Sequence, residues 1–247
     1  MQAVLAGVLA CLLGVLTWQV AARGPFTVAD IPVHEWVLRH GPDQSSPLWV
    51  PLSDLGDGRV AAPVLAAVAA ATWWRRRALR PVVLAAAGLI GFIVVLEAMK
   101  EVIGRAAPGS GGDAVFADGT AFPSGHTSAA TVMWGLVVWL AVAAARRVPA
   151  SPRVSRYSCL VAGAAAGLAA GAAMVRMDYH WVSDVAAGWL LGLITLLSVL
   201  AAAESSRGGA QPSGRPVRRN GRRPGRDAFM PEPPGRGGPA RYGSGPR

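Results

Sequence analysis

The stretch VVLAAAGLIGFIVVLEAMK (82–100) runs fifteen residues without a charged side chain, then sets Glu97 and Lys100 one turn apart at its end. Its length matches the ~20 residues an apolar helix needs to cross the hydrocarbon core of a bilayer. Five further apolar blocks lie around it, at roughly 3–22, 59–74, 126–145, 158–177 and 184–202. The block at 59–74 is short and is open to an earlier start around Leu52–Leu55. Of 247 residues, 52% are hydrophobic and 15% charged, against about a quarter charged in a soluble domain. Apolar residues in blocks, rather than in amphipathic alternation, predict an all-α polytopic membrane protein. The expected architecture is a bundle of about six transmembrane helices over 1–202, with a disordered basic tail over 203–247.

Composition narrows the partners. The net charge of +10 raises nucleic acid, but ten of the 23 arginines follow Ser205, in a Gly- and Pro-rich tail with no folded reader. The tail is expected to stay solvated on the cytoplasmic side and to touch anionic lipid headgroups at most. Cys11 and Cys159 both fall inside apolar blocks, which leaves no disulfide framework and no cysteine metal site. The first block lacks a basic leading region and is read as a retained helix rather than a cleaved signal. GAAAGLAAG (163–171) and GWLLG (188–192) carry small residues four apart, which lets helix backbones approach closely.

Arginine placement sets the orientation. Arg75, Arg76, Arg77 and Arg80 follow the second block, and Arg146, Arg147, Arg153 and Arg156 follow the fourth. These belong on the cytoplasmic side, in what reads as a bacterial plasma membrane. The extracytoplasmic face then receives segments 23–58, 101–125 and 177–183. Within the first, DIPVHEWVLRH (30–40) puts Val33, Trp36, Val37 and His40 on one face, the pattern of an interfacial helix. Neither His34 nor His40 is assigned a function.

Three polar clusters meet that outer face: KEVIGRAAP (100–108), PSGH (123–126) and HWVSD (180–184). Ser124 is a good N-cap, and the amides of Gly125 and His126 would stand at a helix N-terminus, an anion site. Lys100, the one lysine in the chain, adds positive charge, as does Arg105. His180 and Asp184 are four apart, so a carboxylate one turn away can fix the imidazole tautomer and leave the other nitrogen nucleophilic. His126 is a second imidazole, available as a general acid. Singly each has a bland reading: a polar anchor, a snorkelling lysine, a helix-start turn. Together they describe phosphoryl transfer without a metal or other cofactor.

These segments resemble the type-2 phosphatidic acid phosphatase superfamily, over roughly 50–202 by organisation. That family shows Lys, six residues, Arg-Pro; then Pro-Ser-Gly-His; then Ser-Arg, five residues, His, three residues, Asp. Lys100 and Pro108 match the first, Pro123 to His126 the second completely, and His180 and Asp184 the third. The resemblance implies a membrane lipid phosphatase in which His180 attacks phosphorus and Asp184 holds it. His126 would protonate the leaving oxygen, while Lys100, Ser124 and Gly125 bind phosphate oxygens.

This chain departs from the pattern at two arginine positions, occupied by Ala107 and, for the Ser-Arg pair, Ala173 and Met174. Arg105 and Arg176 stand two residues away and are expected as substrate-binding substitutes. Arg176 would need an unwound helix end, because two residues along an intact helix turn it by about 200°. Two uncompensated bonds to a charged group would slow turnover by roughly two to four decades. A second reading is therefore a non-catalytic member that binds or moves phospholipid or scaffolds an envelope-building complex. Glu97 is expected beside Lys100, and Asp178 and Tyr179 at the pocket rim. Loop 107–120 reads as a lid or as slack chain. No oligomeric state is indicated.

Overall fold

The structure, a computed structural model, describes residues 2–108, 119–145 and 152–208. These form eight helices: α1 (Gln2–Ala21), α2 (Pro25–His40), α3 (Trp49–Asp54), α4 (Gly58–Arg76), α5 (Arg80–Ile103), α6 (Gly125–Ala145), α7 (Pro152–Arg176) and α8 (Val182–Gly208). Five of them, in α1, α5, α6, α7 and α8, are long and apolar enough to cross a membrane. The chain is an all-helical integral membrane protein, as the apolar blocks predict. The short block at 59–74 is α4, a helix of 19 residues. It falls outside those five because Arg59 at its start and Trp73, Trp74 and Arg75 at its end dilute its apolar character.

Local chemistry sets the helix ends that matter for function. Asp57 caps α4, its carboxylate accepting the Arg59 amide at 2.8 Å. α5 begins with Pro81 in its first turn and ends at Gly104, whose φ of 59° is left-handed and whose amide returns to the Lys100 carbonyl at 2.9 Å. α8 continues to Gly208, past the boundary expected at 202. The rest of the tail, loop residues 109–118 and Arg146 and Arg147 lie outside the described residues.

α6 is the central post, in contact with α4, α5, α7 and α8. Its Ala130, Val132, Leu136 and Leu140 are at most 1% exposed. The small residues of α7 and α8 make this possible. A Cβ on Gly167 would stand 2.0 Å from Thr131 Oγ1, and one on Gly163 2.4 Å from the Thr131 carbonyl. On α8, a Cβ on Gly188 would stand 2.5 Å from the Ser124 carbonyl. Backbone cannot yield as a side-chain tip can. Gly188→Ala is therefore expected to destabilise the bundle by about 1–3 kcal/mol. Gly7→Ala, where nothing lies within 4 Å, is expected to be neutral. Thermal unfolding in detergent checks both, and equal midpoints would refute the close-approach account.

α2 turns its polar stripe inward. Thr27, Asp30 and His34, spaced three and four apart, are buried, while Phe26, Val33 and Trp36 are exposed. The apolar face expected at a membrane interface is thus outermost. The inward face meets the loop before α8, where His34 Nε2 is 2.6 Å from Asp178 Oδ1.

Candidate active site

Four helix ends gather on one side: the C-termini of α5 and α7 and the N-termini of α6 and α8. Between them, under the α3–α4 turn, lies a cavity of about 640 Å³ bordered by both His126 and His180. Each histidine is partly buried, the His180 side chain being 13% exposed. His126 sits in the first turn of α6, whose leading amides have no carbonyl of a preceding turn to bond. Ser124 caps that turn: its Oγ accepts the Thr127 amide at 3.4 Å and the Thr127 hydroxyl at 3.0 Å. Its own amide donates to the Asp184 carbonyl at 3.0 Å, tying the PSGH turn to the start of α8. Ser124 is fully buried. Lys100 Nζ lies 3.6 Å from where a Gly125 Cβ would be and 3.0 Å from Glu97 Oε1. The lysine is thus beside the α6 N-terminus, paired with the glutamate the sequence placed near it.

His180 is held from behind. Its Nδ1 stands 3.5 Å from Asp184 Oδ2, long for a hydrogen bond, and has no hydrogen-bond partner. Asp184 is fully buried and takes the Trp181 amide at 3.0 Å on Oδ2 and Arg105 at 2.7 Å on Oδ1. Arg105, expected to reach a phosphate, is instead 3% exposed and turned inward. Its guanidinium donates to Ser183 Oγ at 2.7 Å and to Asp30 Oδ2 at 2.8 Å as well as to Asp184. Asp30 completes the cluster, accepting the Ser183 amide at 3.0 Å and the Ser183 hydroxyl. Trp181 closes it, with its indole donating to the Ala106 carbonyl at 3.0 Å and its ring 5.2 Å from the Arg105 guanidinium.

Arg176 also goes elsewhere. It is buried and donates to the carbonyls of Leu38, at 3.0 Å, and Pro42, capping the C-terminus of α2. α7 stays helical through Arg176, so the unwinding that would bring it to the site does not occur. Ala107 and Met174 themselves border the cavity, as does Tyr179. Asp178 binds His34 instead.

The sequence reading missed the other wall. The turn before α4 contributes Asp54, Asp57 and Arg59 to the same cavity. Arg59 pairs with Asp57 at 2.6 Å, and that bonding holds the Asp57 carboxyl down at about 2, so it stays ionised at any working pH. The turn is seated on α6, with the Trp134 indole donating to the Leu55 carbonyl at 2.9 Å. A Cβ on Gly56 would stand 2.2 Å from the His126 carbonyl. The acidic and basic residues around 54–59 and the polar stripe of α2 were the available signals.

The PAP2 superfamily model matches residues 81–207. No curated protein sequence matches the chain. Among solved structures it is similar to a transmembrane PAP2-type phosphatidylglycerolphosphate phosphatase from Bacillus subtilis. The identity is 18% and the TM-score 0.64, with 81% of this chain and 96% of that one covered.

Proposed function

This chain belongs to the PAP2 superfamily, and from that premise we propose that it is a membrane phosphatase acting on a lipid phosphate through a phosphohistidine. The observation that carries this reading is that His126 and His180 border one cavity, with buried Asp184 behind His180. Asp184 favours the tautomer with the proton on Nδ1, leaving the Nε2 lone pair for phosphorus. Attack forms the N–P bond as the P–O bond to the lipid breaks, and His126 gives its proton to the departing oxygen. Water, deprotonated by the same imidazole, then cleaves the N–P bond and releases phosphate. Lys100 and the first amides of α6 hold the phosphoryl oxygens. Ser124 supports them by capping that turn.

The substrate is an amphiphile whose phosphate lies at headgroup level: a polyprenyl diphosphate, a phosphatidic acid or phosphatidylglycerol phosphate, or a phosphorylated glycolipid precursor. The side follows from the charges. The site is at the end of α4 and α5 opposite to Arg75, Arg76, Arg77 and Arg80, which supports the reading that it faces out of the cytoplasm. Ala107 and Met174 on the cavity wall favour the second reading, a member that binds or scaffolds without turnover.

Phosphate release by the purified protein in detergent, with EDTA and a panel of these lipids, decides between them. Metal-independent release from at least one lipid is expected. No release from any would move the assignment to the binding reading.

A further inference from the structure

The cavity presents a charge problem. A lipid phosphate arrives with one or two negative charges, yet much of its wall is neutral: Ala106, Ala107, Ala121, Met174 and Met177. Asp54 and Asp57 border it as well and repel an anion. The arginine that borders it is Arg59, from the first turn of α4. Its side chain is 91% exposed and bound to Asp57 through Nε, at 3.1 Å, and one terminal nitrogen, at 2.6 Å. Asp57 is only 17% exposed and the pair is close, but the guanidinium itself stays in water, so it exchanges one anionic partner for another without first being desolvated. The turn that carries it is fixed, because Gly56 lies against the His126 backbone and Leu55 is bonded by Trp134. Arg105 and Arg176 are committed elsewhere.

We propose that Arg59, which belongs to none of the three motif segments, is a substrate-binding residue whose guanidinium leaves Asp57 for the phosphate oxygens of a substrate held between His126 and His180. Asp57 is its resting partner: in the empty site it orients the guanidinium and masks its charge, and the incoming phosphate displaces it. Lys100 lies beside Gly125 at the α6 N-terminus rather than on the cavity wall, so Arg59 is the cation that meets the anion on the wall itself, from the α4 side. The inference rests on the phosphatase reading for the identity of the ligand.

The test measures binding rather than turnover. Full-length protein carrying His180→Ala, which cannot form the phosphohistidine, is titrated in detergent with dioctanoyl phosphatidic acid and, separately, with farnesyl diphosphate. Adding Arg59→Ala is expected to raise the Kd about tenfold, the loss of one charge-assisted hydrogen bond in partly solvated surroundings. Arg59→Lys keeps part of the affinity, since it retains charge without the fork. Asp57→Asn preserves the helix cap but releases Arg59, and is expected to tighten binding up to about fivefold. An unchanged Kd in Arg59→Ala overturns the proposal. So does weakening by Asp57→Asn, which would make the pair only a helix-start clamp, and so does failure of both probes to bind. Because the background is inactive, these outcomes are independent of phosphate release by the unaltered protein. Release together with Arg59-independent binding would reject the Arg59 role alone.

Discussion

His180→Ala is expected to lower phosphate release by at least about four decades, to the level of the solution reaction aided only by binding, as when a covalent nucleophile is deleted elsewhere. The folded state should tolerate the change, because the His180 side chain borders a cavity and its Nδ1 makes no close hydrogen bond. His126→Ala separates the two roles. With a lipid leaving group, whose alkoxide needs a proton, turnover should fall about 100- to 10,000-fold. With p-nitrophenyl phosphate, whose leaving group departs unprotonated, attack should survive and phosphohistidine should accumulate, since deprotonation of water is lost too. Acid-labile phosphate on the protein, absent in His180→Ala, is the readout. Equally slowed formation of the phosphoenzyme from both substrates would remove His126 from the acid role, and release by His180→Ala would end the phosphohistidine mechanism.

Arg105→Leu is expected to be the most destabilising single change in the described fold. Arg105 stands between Asp30 and Asp184, which are 4% and 0% exposed, at 2.8 and 2.7 Å. Removing it leaves two buried carboxylates without their counter-ion, a loss of about 3–5 kcal/mol. Arg105→Lys should recover only part, because one ammonium cannot reproduce the fork that meets both carboxylates and Ser183. The cluster is a unit, so adding Asp30→Asn to Arg105→Leu should cost less than the sum of the two changes. Activity should fall with stability, since Asp184 loses the bond that aims it at His180. Thermal midpoints in detergent across the cycle measure the coupling. Additive losses would mean that Asp30 and Arg105 act separately.

How far the sequence could be read depended on distance along the chain. The membrane helices were legible because an apolar run of about 20 residues is a local property, and the bilayer demands little else. The glycines of α7 and α8 were legible for the same reason, since small residues four apart declare one face. The motif ends were readable too: Ser124 caps its own helix, and Lys100 and Glu97 share a turn. Arg105 and Arg176 were the difficult cases. Their distance from a motif position suggested reach toward a phosphate. Their partners are Asp30 and Asp184 for one and the end of α2 for the other, in segments at least 75 residues away. No spacing rule within a motif reports on such contacts.

By itself the sequence determined that this is a helical membrane protein, and that a lysine, a PSGH turn and a His–Asp pair meet one face. The helices and their end motifs follow from the composition of single segments, and the shared face follows from arginine placement along successive crossings. Only the tertiary structure decided which cations are committed. It spends Arg105 on two buried carboxylates and Arg176 on the carbonyls of α2, because a buried guanidinium needs nearby acceptors and the fold supplies them there. It also brings Arg59 to the cavity from a helix that carries none of the motifs, because the turn before α4 rests on the His126 backbone.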